Sequence, residues 1–70
     1  MAMAKTIKKL LIDRDMSITE LANKLNIHRV SMHYRLRVDN FSEKELQQIA
    51  EILNCTFKGT FIKNDTGEEI

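Results

Sequence analysis

Proline and tryptophan are absent from this 70-residue chain, and cysteine occurs once, as Cys55. One cysteine cannot close an internal disulfide, so a stapled secreted scaffold is excluded and a reducing cytoplasm is the expected location. No apolar run approaches the roughly 20 residues of a membrane span. The opening M-A-M-A-K-T-I-K-K lacks signal-peptide architecture, and no membrane partner is expected. The two glycines, Gly59 and Gly67, form no phosphate-binding loop. His28 and His33 stand five apart with the lone cysteine far along the chain, which is not a zinc spacing, so neither metal nor cofactor is expected. No Ser, His and acid set has support, and so short a chain leaves little room for a pocket. No catalytic residue, enzyme activity or small-molecule substrate is therefore expected.

What is present is one small domain's worth of chain, enough for a single core. Its net charge of +1 is unevenly spread. Residues 1–40 hold eight lysines and arginines against four acids, and residues 41–70 hold three against six. A basic half of this kind suits phosphate, although ordinary solvated charge gives the same pattern.

The basic half contains the stretch around which the chain is organised, Ser17 to Arg37, S-I-T-E-L-A-N-K-L-N-I-H-R-V-S-M-H-Y-R-L-R. Ser17 followed by Glu20 is a capping box that opens a helix. Leu21, Ala22 and Leu25 share one face of it. Asn26 can take the left-handed conformation that ends it, and Ile27 can plug the corner. A second helix is expected from about Arg29, with Met32 and Leu36 inward. Ala22 is small enough for two helices to cross closely there. The outward face of the second helix carries Arg29, Val30, Ser31, His33, Tyr34 and Arg37, a cationic and aromatic surface that suits a DNA major groove.

E-L-A-N-K-L-N-I followed by a short polar helix resembles the helix-turn-helix of the lambda-repressor-like family (Cro/XRE type). The resemblance covers roughly residues 5 to 54. It implies a double-stranded DNA partner, a transcriptional role and a small prokaryotic, phage or mobile-element regulator. It also implies that the segment after the second helix touches phosphate, with Arg37 and Asn40 the candidates, and Ser17 joins the DNA-binding set. The chain departs from the family in Asn26 where glycine is usual, in His28 where Ser or Thr caps the groove helix, and in Ile18 where a glutamine often stands.

The remaining segments fill in a mostly α domain of four helices. Lys5 to Asp15 is the first, with Ile7, Leu10, Leu11 and the Arg14 stem inward. Its lysines are either solvated surface or a backbone clamp on DNA. Val38 to Asn40 is read as a loop. Phe41 to Asn54 holds the clearest helix, with Ser42 and Glu45 as a capping box, Phe41 and Leu46 as a staple, and Leu46, Ile49, Ala50 and Leu53 inward. Residues 1–54 thus form the helix-turn-helix part. Residues 55–70 form a C-terminal β-hairpin or strand of the same domain.

In that tail, Phe57 and Phe61 fall on one side of an extended chain. A turn at N-D-T-G would place Ile62 opposite Ile70 and Lys63 opposite Glu69. The first strand, Thr56 to Lys63, would then outrun the second and leave a free edge without proline. Two readings follow. A second copy pairs with it, giving a homodimer through Phe57, Gly59, Thr60 and Phe61; or the phenylalanines pack on the helices of their own chain.

The expected function is sequence-specific DNA binding by a regulator or repressor, with Arg29 on a guanine, Val30 on a thymine methyl, and His33, Tyr34 or Arg37 on bases or phosphate. The alternative is a protein-interaction module on the same fold, antitoxin-like or regulator-binding, suggested by the apolar Ile18 and Val30.

Overall fold

Asp39 and Asn26 show how a chain with so little glycine turns its corners. In the computed structural model, which describes residues 1–70, four residues other than glycine hold a positive φ: Asp15, Asn26, Asp39 and Asn54. Their short polar side chains tolerate the left-handed region better than other side chains do. Each follows a helix: α1 (Ala4–Asp13), α2 (Ile18–Lys24), α3 (Arg29–Val38) and α4 (Glu43–Ile52). After α1, Asp15 N–H donates to Ile12 and Met16 N–H to Leu11; after α2, Asn26 N–H donates to Asn23 and Ile27 N–H to Ala22. Both pairs satisfy carbonyls left over at a helix end.

The helix starts are equally local. Ser17 Oγ accepts Glu20 N–H at 3.0 Å, Ser42 Oγ accepts Glu45 N–H at 3.1 Å, and each glutamate reaches back to the serine N–H. Helix α1 has no such neighbour. Its cap comes from Asp39, whose Oδ1 accepts Ala4 N–H at 2.7 Å. The acid thus sits at the positive end of the α1 dipole. Helix α3 runs on through Val38, so the connection starts one residue later than expected, with Asp39, Asn40 and Phe41 leading to the Ser42 cap.

The core draws on every element. Ile7 and Leu10 of α1, Leu21 and Ala22 of α2, Met32 of α3, Leu46 of α4 and Phe61 of the tail are all fully buried. Phe41 and Leu46, the staple pair, both belong to this core.

The tail corrects the expectation of one long strand. Strand β1 (Cys55–Phe57) folds straight back as β2 (Phe61–Lys63), pairing Cys55 with Lys63, Thr56 with Ile62 and Phe57 with Phe61. The reversal is at Gly59, with φ +76° and Lys58 N–H donating to the Thr60 carbonyl at 2.9 Å. A positive φ of this size is one that side chains disfavour and glycine adopts freely. Nothing lies within 4 Å of where a Cβ would be, so Gly59 is needed for conformation and not for a close approach. The second turn forms with Gly67 at φ +77°, but one residue out of the expected register: Ile62 faces Glu69.

The residues expected at a dimer interface fall in two places. Phe57 and Phe61 meet edge to face, 5.0 Å between centroids, inside the core of their own chain. Gly59 and Thr60 lie in the exposed turn, not at the middle of a paired strand.

Two ionic ties fasten the tail. Arg14 donates to both Asp65 oxygens at 2.8 and 2.9 Å and to the carbonyls of Leu53 and Asn54 at the end of α4. This hydrogen bonding holds the Asp65 carboxyl down at about 2 and raises the Arg14 guanidinium above its ordinary value. Lys63, nearly covered, reaches Asp13 at 2.7 Å and Glu68 at 3.0 Å. Bonds to Asp13 first and Glu68 second raise its pKa.

Candidate nucleic-acid interface

Ala22 on α2 and Met32 on α3 are both fully buried, and the two short helices pack on one another. The turn between them is set by Asn26 at φ +61° and by Ile27, which packs partly buried against the core. Helix α3 then begins on His28. Its Nδ1 accepts Val30 N–H at 3.2 Å, so an imidazole fills the N-cap role that Ser or Thr would take.

Met32 and Leu36 face inward, and the opposite side of α3 is open. Val30 is 64% exposed and Tyr34 56%. Arg29, Ser31, His33 and Arg37 are exposed around them. Neither the Arg29 nor the His33 side chain makes a hydrogen bond or ion pair within the chain. The Arg37 guanidinium lies over the Tyr34 ring, 5.4 Å from its centroid. Residues 30, 31, 33, 34, 35 and 37 line one shallow open concavity of about 630 Å³ along the helix.

The other candidates lie at the margins. Ser17 is exposed, and its hydroxyl oxygen is engaged as the α2 cap. Asn40 is exposed beyond the end of α3, and its Oδ1 accepts from the terminal amine at 3.4 Å. Asp39, an acid in the middle of this region, is turned away to cap α1.

Arg35, the third arginine of α3, is tied into the fold. Its Nη1 pairs with Glu45 Oε2 at 2.8 Å, bridging α3 to α4. Glu45 is held below the ordinary carboxylate range, by the Ser42 N–H first and by Arg35 as well. The free cations of the helix are therefore Arg29 and Arg37. Sequence reasoning missed this pairing and the capping roles of His28 and Asp39. The His28 role had a signal, since the residue occupies an N-cap position; the other two depend on how distant segments meet.

Such a surface, a short helix held outward by its partner with cations beside an apolar centre, is shaped to enter a major groove. No helix is long and apolar enough to cross a membrane. Searches of curated proteins and of solved structures return no match. A family model does match: residues 6–61 fit the Cro/C1-type HTH DNA-binding domain, with the helix-turn-helix at its centre. The chain belongs to the Cro/C1-type helix-turn-helix DNA-binding family.

Proposed function

We propose that the protein is a sequence-specific transcriptional regulator that represses by occupying its operator as a homodimer. The observation that carries this reading is the exposed face of α3, where Arg29 and His33 have no partner in the chain and Arg37 has only the Tyr34 ring. Arg29 at the helix start suits a guanine edge, and Ser31, Arg37, Ser17 and Asn40 suit bases or phosphate around it. Repression needs nothing beyond occupancy, because a helix in the groove excludes competitors from the same base pairs. A second copy doubles a recognition site that one ten-residue helix reads only in part. With the phenylalanines buried, the outer edge of β1 is the hairpin surface available for pairing, beside the exposed turn at Gly59 and Thr60.

The test is selection of bound sequences from random duplex DNA, followed by affinity measurements over a range of salt. A twofold-symmetric consensus and a steep loss of affinity with salt are expected. Failure to enrich any sequence overturns the reading. A protein-interaction module is the second reading, favoured by the exposed Val30, Tyr34 and Val38 on α3; an apolar contact with protein would change little with salt.

A further inference from the structure

The groove-facing centre of α3 is apolar, and its charges are at the sides. About 100° separates successive residues of a helix, so Val30 and Tyr34 both lie within about 40° of the direction opposite Met32 and Leu36. These two stand one turn apart on the same face. Both are more than half exposed although neighbouring positions carry Ser31, His33 and Arg37.

From this we infer that α3 reads the 5-methyl groups of thymine, with Val30 and the Tyr34 ring forming the contact surface. The inference rests on the DNA-binding reading and names what the site recognises. Val30 has no polar side-chain atom, so it cannot choose among bases by hydrogen bonding. The feature of the major-groove edge that an apolar side chain can select is the thymine methyl. The Tyr34 ring offers a second apolar wall, steadied by the Arg37 guanidinium stacked at 5.4 Å. Arg29 and Arg37 flank the pair, which favours a polyanion over an apolar protein as the occupant.

Replacing thymine by deoxyuridine removes the methyl and keeps every hydrogen-bonding group. On an operator obtained by selection, each thymine is replaced in turn and binding is measured. One or two thymines per half-site should each lose about three- to fivefold in affinity, the effect of covering one methyl-sized group. The same replacements should lose little with Val30→Ala, whose exposed position leaves folding intact. Tyr34→Phe should keep the thymine preference, since the ring is retained. Normal binding with no sensitivity to deoxyuridine at any position overturns the inference and leaves DNA binding standing. So does a thymine preference lost with Tyr34→Phe, which would assign the reading to the hydroxyl. No binding to any duplex overturns the functional reading itself.

Discussion

His28 holds the backbone N–H of Val30 on its Nδ1 at 3.2 Å. The cap and the exposed face of α3 are therefore two residues apart on one turn. His28→Ala should cost about 0.5–1 kcal/mol, toward the low end of N-cap losses. In a domain of this size that lowers Tm by about 2–8 °C. His28→Ser should restore or exceed wild-type stability. Thermal unfolding of the three proteins checks this, and an unchanged Tm for His28→Ala would remove the imidazole from the capping role.

Gly59 reverses the hairpin at φ +76° with open space around it. Gly59→Ala should therefore cost about 1–2 kcal/mol through the backbone alone. Gly59→Asn should cost less. Urea unfolding should show a lower midpoint with an unchanged slope. Equal stability of wild type and Gly59→Ala would mean that the chain turns elsewhere.

The same glycine shows why part of the fold was legible in the sequence and part was not. Alternation places Phe57 and Phe61 on one side of a single strand. A hairpin that turns at Gly59 and pairs residue 57 with 61 also places them on one side. The pattern is identical in the two cases, so burial of both rings was readable and the reversal was not. Capping boxes at Ser17 and Ser42 span three residues and were readable for that reason. The outward face of α3 followed from helical period alone. The partners of Arg35 and Asp39 lie 10 and 35 residues away, beyond the reach of any local pattern.

The Arg14–Asp65 tie predicts an acid-dependent stability. Hydrogen bonding to Arg14 lowers the Asp65 carboxyl from an ordinary 3.8 to about 2 in the fold. As pH falls, the unfolded chain takes up the proton first. The contribution is thus present above the ordinary value and is lost as pH falls towards about 2. Asp65→Asn should melt below wild type at neutral pH, and the gap should close in strong acid. A gap that stays constant across that range would show that the ion pair contributes nothing through charge. The effect is small, because Asp65 is nearly half exposed at 47%.

Glu45 accepts from both the Ser42 N–H and Arg35, at 3.1 and 2.8 Å. Arg35 is thereby committed to the fold, while Arg29 and Arg37 carry charge with no carboxylate partner. Arg37→Met should reduce the slope of log affinity against log salt by about 0.9, the share of one phosphate contact. Arg35→Met should leave that slope nearly unchanged and cost stability instead, about 0–1 kcal/mol for a partly exposed pair. Glu45→Gln gives the converse. Glutamine at this position can still complete a capping box, so the helix start survives while Arg35 loses its counterion and gains freedom to meet phosphate. The slope should then steepen by as much as 0.9, and affinity at low salt should rise. Titrations of the four proteins on one operator distinguish these outcomes. If Arg35→Met flattens the slope as much as Arg37→Met does, Arg35 leaves Glu45 when DNA binds and the pair is a latch, not a fixed strut.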